Sequence, residues 1–447
     1  MKINRREFLA GSLSSALIGW RQAALAAGYP EYYAEHLAKA SARINGLAAT
    51  CEDGFWFMTD LHILSNRRKS GVLLAELVKQ TPLKRVLCGG DLVSAWGEKF
   101  PTDRAAVEFA IDAYRKDWIA PIRNAGGLLY TAKGNHDFTV RHSSKDDGKH
   151  GFTMNGEAAS RMIVSEFSEP GVITNPGDPN SACYYFDNPQ AKLRYIVADS
   201  TDTAAAEDVP WGVRYGMHEP QLKWLETVAF AQAPADYGFV VMHHIPVTGV
   251  VGNDQDAKMF APMRKLLEKY RGRVILDLTG HHHCEMETCQ NGIWHVTNPC
   301  DAAYSDYITR SRPWCGDLPK KVSGTIAEQT FDALQIDRRR GLIHFTRLGG
   351  GQNRSIHTEV QTVGVGAKTK LSAGLLAGKV TWGCYDADRV VNHKDPTNPY
   401  INIPEYFNDV ATIDADGTLL PKKPGEIVVI ARDADLNKEI FPMTVKG

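Results

Sequence analysis

The chain has 447 residues, with Lys+Arg 51 against Asp+Glu 52, 43% hydrophobic and 23% charged residues. That length exceeds one typical domain and points to two or three units, and the apolar content excludes wholesale disorder. The balanced charge argues against binding polymeric nucleic acid through its phosphates, and eight Cys in so long a chain do not make a disulfide scaffold.

The amino terminus reads MKINRREFLA, followed by a short small-and-apolar run over 11–19 and an Ala24-Leu25-Ala26 end. The run is about half of the ~20 residues that span a bilayer, so residues 1–26 are read as a signal peptide. An amphipathic helix or an uncleaved anchor is the alternative. Asn4-Arg5-Arg6-Glu7-Phe8-Leu9 resembles a twin-arginine export signal, with Asn4 where Ser or Thr is usual. The resemblance implies transport of an already folded protein by export machinery to a periplasmic or secreted location, which suits a cofactor or metal loaded in the cytoplasm. Residues 1–26 carry four basic residues and one acidic residue, so their removal takes the formal charge from -1 to -4. No later stretch approaches 18 continuous apolar residues, so no transmembrane segment is expected in the mature chain. Cys284 with Cys289 and Cys300 with Cys315 are the sequence-local candidates for disulfides.

A helical lead-in occupies 30–44, within a segment 27–49 that precedes the main unit. Short apolar strands are expected over 55–58, 85–88, 128–131, 193–198, 239–242 and 274–278, with helices over 71–79, 105–119 and 156–167. Most of these strands end where polar, Gly-flanked residues begin. This alternation predicts an α/β unit with strands buried on both faces and chemistry at their C-terminal ends. The long polar stretch 138–179 follows one such end, either as a substrate-facing lid or as a solvated insertion. Beyond Gly349-Gly350-Gly351 the helical pattern disappears. Strands over 357–365, 369–375, 378–382, 410–413 and 426–431, separated by turns such as Asp416-Gly417 and Pro424-Gly425, predict a small all-β sandwich over 353–447.

Five polar junctions carry the chemistry: Asp60-x-His62, Gly90-Asp91, Gly134-Asn135-His136-Asp137, His243-His244 and Gly280-His281-His282-His283. Carboxylate, imidazole and amide oxygen form a mixed N/O donor set, suited to Zn, Fe, Mn or Co rather than to Ca or a thiolate cluster. In an extended strand end, residues two apart point to one side, which brings Asp60 and His62 toward one ion. A further carboxylate, Asp91, can bridge two ions at the ~3.5–4 Å separation useful for phosphoryl chemistry.

In this order the five blocks resemble the calcineurin-like metallophosphoesterase superfamily, over residues 50–352. The resemblance implies a four-layer α/β/β/α sandwich and two divalent or mixed-valence transition metal ions. It places Asp60, His62, Asp91 and His283 on the first ion, and Asp91, Asn135, His243 and His281 on the second. It implies a metal-bridging hydroxide as nucleophile, His136 as donor toward the phosphoryl or leaving-group oxygen, and Asp137 as the carboxylate that orients His136. His244 would lie behind the ligands or against substrate, and His282 would point away. The purple acid phosphatase branch carries a tyrosinate three residues after the aspartate, where this chain has Ser94. The implied activity is therefore that of the wider family: hydrolysis of a small phosphomonoester or phosphodiester, with a nucleotide or cyclic nucleotide as an alternative substrate.

In the last unit, Val380-Thr381-Trp382, then Val410-Ala411-Thr412-Ile413-Asp414 with Gly417, and a Lys423-Pro424-Gly425 turn resemble bacterial immunoglobulin-like domains of the second group. The segment 390–408 departs from that pattern as an insertion. Such a domain implies a spacer or packing partner. A non-catalytic surface-binding or adhesion protein is the alternative for the whole chain.

Overall fold

A computed structural model describes residues 30–63, 70–93, 100–140, 152–201, 216–249, 258–301, 322–395 and 398–447. The expected signal peptide, Ser94 and Cys315 lie outside these residues. No disulfide joins Cys284 and Cys289. No helix among the described residues is long and apolar enough to cross a membrane.

Helix α1 (Ala34–Leu47) leads into β1 (Asp53–Met58), followed by α2 (Ser70–Gln80), β2 (Arg85–Cys88), α3 (Asp103–Tyr114) and β3 (Leu128–Thr131). Strands β1, β2 and β3 pair in parallel, Phe55 opposite Arg85 and Arg85 opposite Leu128. All of β1 is buried, as its unbroken apolar run requires of a strand covered on both faces. α3 begins with Thr102, whose hydroxyl accepts from Ala105 N at 3.1 Å and caps the first turn.

A second sheet follows: β4 (Ile173–Thr174), β5 (Tyr184–Asn188), β6 (Leu193–Val197), β7 (Gly238–Met242), β8 (Val274–Thr279), β9 (Met286–Gln290) and β10 (Ile293–Thr297). Its spatial order is β9-β10-β8-β7-β6-β5-β4. The chain then returns to the first sheet through β11 (Thr330–Asp337) and β12 (Leu342–Gly349), with β11 antiparallel to β1.

Alternation decides which side of each strand faces which core. Val240, Met242, Leu276 and Leu278 join Phe55, Phe57 and Tyr195 in the core shared by the two sheets. Their neighbours Phe239 and Val241 instead pack with Leu225, Met263 and Leu267 of the helical segments on the outer face of the second sheet.

The C-terminal strands are β13 (Arg354–His357), β14 (Gln361–Gly364), β15 (Thr381–Asp386), β16 (Gly425–Arg432) and β17 (Lys438–Lys446), with smaller sheets around them. They enclose a separate apolar core that includes Leu371, Val410, Leu419, Val429 and Phe441. Yet β13 pairs antiparallel with β12 and parallel with β17, so a single ten-stranded sheet runs through β15-β16-β17-β13-β12-β11-β1-β2-β3, with β14 pairing parallel to β17 beside this path. The insertion at 390–408 forms a two-stranded ribbon, Val390–Asp395 against Asn398–Tyr406.

A buried ionic network sits at this seam. Arg354 Nε lies 2.9 Å from Glu287 Oε1, and its Nη1 lies 3.0 Å from Asp332 Oδ2 and 3.2 Å from Glu285 Oε2. Arg347 Nε reaches Asp332 Oδ1 at 2.7 Å. Lys438 of β17 and Arg347 also pair with Glu285, whose side chain is only 4% exposed. Three carboxylates face three cations, so the group is neutral as a whole, which is the condition for keeping it out of water.

Candidate metal centre

The centre forms where the C-terminal ends of β1, β2, β3, β7 and β8 converge. After β1 the chain stays hydrogen-bonded to the segment after β2: Asp60 N donates to Gly90 O at 2.9 Å and His62 N to Asp91 O at 3.0 Å. Asp60, His62, Asp91, His281 and His283 all have positive φ, between 45° and 70°. The expected extended geometry for Asp60-x-His62 is therefore corrected: left-handed backbone, not an extended strand end, brings the two side chains together. Left-handed backbone at non-Gly residues costs on the order of 1 kcal/mol or more each and persists where surrounding structure enforces it.

Glycine makes the close approach possible. A Cβ on Gly134 would meet Asp91 N at 2.1 Å, and one on Gly280 would meet Thr59 Oγ1 at 2.0 Å and Asp60 Oδ2 at 2.3 Å. No larger residue fits at either position.

Two donor groups result. Asp60, His62, Asp91 and His283 offer donor atoms within 4.8 Å of one another, and so do Asp91, His244 and His281. Asp91 belongs to both. His283 Nε2 lies 3.1 Å from both Asp60 Oδ1 and His62 Nε2. In the second group His244 Nε2 is 3.2 Å from Asp91 Oδ2 and 3.1 Å from Asn135 Oδ1, which lies 2.8 Å from His281 Nδ1.

His243 is not in either group. Its Nδ1 lies 2.8 Å from the Ile245 carbonyl and its Nε2 lies 2.8 Å from Asp277 Oδ1, while Asp277 Oδ2 contacts His295 Nδ1 at 2.7 Å. The register expected for the His pair is thus corrected by one residue. Alternation along β7 is the cause: Phe239 and Val241 face the helices, Val240 and Met242 face the shared core, and continuing the period turns His243 outward and His244 to the centre. The same period, extended two residues past the strand, was the available sequence signal. His244 is further fixed by its Nδ1, 2.8 Å from the Gly89 carbonyl, the kind of support that orients an imidazole ligand.

Asp137 also differs from expectation. Its Oδ1 accepts from Leu92 N (2.8 Å) and Val93 N (3.1 Å), and its Oδ2 accepts from Gly134 N (2.7 Å) and Asp91 N (3.1 Å). Both oxygens are thus committed to backbone, and Asp137 knots the segments after β2 and β3 together. His136 donates its backbone N–H to Asp91 Oδ1 at 2.7 Å. Its ring lies edge-on to His62, 5.2 Å between centroids, and is less buried than Asn135 and Asp137 on either side.

Lys133 and Asp199 were not expected to act together. Lys133 Nζ donates to Asp199 Oδ2 at 2.6 Å, with both side chains buried, and Asp199 Oδ1 accepts from Thr201 N at 2.9 Å. This pair binds the Gly134-Asn135 segment to the end of β6. Sequence showed only two polar residues at two strand ends 66 positions apart.

The charges fit a cation site. Burial alone would raise Asp60 and Asp91, but His283 and His244 hold Asp60 low, and His244 and His136 hold Asp91 low. Burial likewise disfavours charge on His244, yet Asp91 and Asp60 raise it to about 9. His62 is instead pushed down to about 3, chiefly by burial. Without metal, protons on histidine thus offset the carboxylates, a charge that metal ions can replace. The donor set of carboxylates, imidazoles and one amide oxygen, converging on a shared Asp91, fits two transition metal ions.

A calcineurin-like phosphoesterase family profile matches residues 54–285, just over half of the chain. No curated protein matches the sequence significantly. Among solved structures, a dimetal phosphatase from Danio rerio is 14% identical, with 69% of this chain and 100% of that chain covered and a TM-score of 0.48. GAP50, the anchor in the inner membrane complex of Plasmodium, is 14% identical, covering 65% and 83%, with a TM-score of 0.36. Phosphopantetheinyl hydrolase from Mycobacterium tuberculosis is 13% identical, covering 56% and 91%, with a TM-score of 0.32. The family assignment rests on the sequence match, which contains Asp60, His62, Asp91, Asn135, His136, His244, His281 and His283. The chain belongs to the calcineurin-like phosphoesterase family and is a metallophosphoesterase.

Proposed function

We propose that this enzyme hydrolyses a small phosphomonoester or phosphodiester at a dinuclear centre, outside the cytoplasm after export by a twin-arginine-type pathway. The observation that carries the catalytic reading is the membership of Asp91 in both donor groups. In this reading Asp60, His62, Asp91 and His283 hold one ion, and Asp91, Asn135, His244 and His281 hold the other. When bound, two such ions supply Lewis-acid charge to a phosphoryl group and acidify a water that serves as nucleophile. The protein's own residues do the rest. Asp137 holds the two ligand segments in register through four backbone N–H groups, so the donors need not reorganise during the reaction. His136, at the less buried edge, donates a proton or hydrogen bond to the departing oxygen as the P–O bond breaks and water's oxygen takes its place.

The four-layer reading of the catalytic unit is supported by one core between the sheets and a second against the outer helices. The immunoglobulin-like reading of 353–447 is supported by its own apolar core. Export rests on the leader sequence alone.

The experiment is a panel of aryl phosphates and bis-aryl phosphodiesters, run on protein with bound metals quantified in the same sample. Metal-dependent turnover of one class is expected. His136→Ala should keep both ions and lose rate, whereas Asn135→Ala should lose rate together with one ion. A fully metallated protein inert across the panel would refute the reading.

A further inference from the structure

At the end of the first sheet opposite the phosphoesterase centre, three chemically reactive side chains meet. Cys51 follows α1 and precedes β1, Asp337 ends β11, and His344 lies in β12 beside it. One donor atom from each lies within 4.8 Å of the others. β1 separates this cluster from Asp60 by six residues of extended chain, about 20 Å at ~3.3 Å per residue.

Two of the three groups carry buried atoms without a hydrogen-bond partner among the described residues. His344 is 3% exposed, and its Nδ1 lies 2.8 Å from Ser355 Oγ. Its Nε2 is buried with no hydrogen-bond partner. Asp337 is 1% exposed, and its Oδ1 accepts from Arg340 N at 3.0 Å. Its Oδ2 is likewise buried without a hydrogen bond. Arg340 Nη1 approaches that oxygen only to 3.8 Å, from a side chain 56% exposed. A buried polar atom left unsatisfied costs about 1–3 kcal/mol, and here two such atoms belong to side chains that each bring a donor within reach of one thiol, which fits a ligand that all three share.

We propose that Cys51, Asp337 and His344 form a third metal site, distinct from the phosphoesterase centre, for one thiophilic divalent ion of the zinc or cobalt class. Thiolate, imidazole and carboxylate are the donors such ions take, and the thiolate disfavours the hard ions calcium and magnesium. Ser355 Oγ accepts from Nδ1–H and leaves the Nε2 lone pair for the ion, the usual support for an imidazole ligand. Binding replaces the Cys51 S–H bond by a sulfur–metal bond and releases the proton to solvent, with no change of oxidation state. The ion together with thiolate and carboxylate is neutral, so the neighbouring Arg43 and Arg340 do not oppose it. Cys51 is only partly buried, which gives the ion a path in and leaves a fourth position to water. Occupied, the site clamps the α1–β1 connection to the β11–β12 hairpin.

The test titrates metal-free, full-length protein with Co2+ and follows the sulfur-to-cobalt charge-transfer band, which the sulfur-free phosphoesterase ligand set does not produce. Wild type should show the band. Cys51→Ser should lose it, bind one equivalent less cobalt per chain, and retain phosphoester turnover when loaded. His344→Gln should weaken the band-forming equivalent by more than the roughly tenfold to hundredfold that loss of a supporting hydrogen bond costs. Alkylation of the wild-type protein with and without Co2+, read by peptide mass, needs no variant: cobalt should protect Cys51. Absence of the band in wild type, its survival in Cys51→Ser, or equal alkylation of Cys51 in both states would each overturn the site.

Discussion

Neighbouring histidines with the same side chain have opposite environments here, and that difference separates metal binding from stability. His244 faces Asp91 and Asn135, so His244→Ala should cost one bound ion and most of the activity while leaving the fold in place. His243 faces Asp277 instead, and His243→Ala should leave metal content near wild type but cost about 1–3 kcal/mol by stripping a buried carboxylate of one partner. Metal analysis with denaturant unfolding of the two variants separates the outcomes, and the reverse pattern would restore His243 as the ligand. A third histidine reports on pH. His36 Nε2 accepts from Gly349 N at 2.8 Å, and burial, with the charge of Lys39, pushes its pKa from 6.5 down to about 4. Between those values the unfolded chain binds the proton more readily than the folded one. Stability from this group is complete above pH 6.5 and is lost as pH falls toward 4. His36→Gln should flatten that part of the unfolding midpoint plotted against pH.

Among the elements, strand ends place the ligands and one terminal strand braces them. Glu285 stands two residues after His283 and is paired with Lys438 of β17, Arg347 of β12 and Arg354 of β13. Lys438→Met removes one cation from a buried neutral group and should cost about 3–5 kcal/mol, with weakened metal retention because the disturbed carboxylate adjoins the His281–His283 segment. Lys370→Met, which breaks an ion pair with Asp416 whose side chains are 59% and 64% exposed, should leave stability near wild type. Equal effects in chemical denaturation would show that the buried network carries no special share of the stability.

The molecule as a whole is held by a sheet that does not stop at residue 353. Removing 353–447 would bare the β12 edge and take Arg354 and Lys438 away from Glu285, Glu287 and Asp332. An unpaired edge beside uncompensated buried carboxylates favours association between chains. The fragment ending at 352 should therefore elute as aggregate in size-exclusion chromatography and lose metal. A monomeric, metal-loaded fragment would instead make the last unit a spacer.

Much of this was legible in the chain alone. The apolar runs at 55–58, 85–88 and 128–131 marked buried parallel strands because such strands need no polar face, and the residues after them marked the centre because ligand chemistry restricts residue type. Asp60, His62, Asp91, Asn135, His281 and His283 were singled out by the five blocks and their resemblance to the phosphoesterase superfamily, and the fold brings them together. Strands β9, β10 and β11 were missed, since Met286–Gln290 and Thr330–Asp337 bury Glu287, Thr288, Asp332 and Gln335 among their apolar residues and so lack a clean pattern. Their polar side chains are satisfied or neutralised by partners distant in sequence, such as Arg354 for Glu287 and Asp332. The choice of His244 over His243, the backbone knot made by Asp137, and the Lys133–Asp199 pair belong to the same class. Residue type and order along the chain were enough to name candidate ligands. Tertiary structure decided which way each one points and what neutralises it, because direction and charge balance depend on the strand face and on neighbours brought together only by folding.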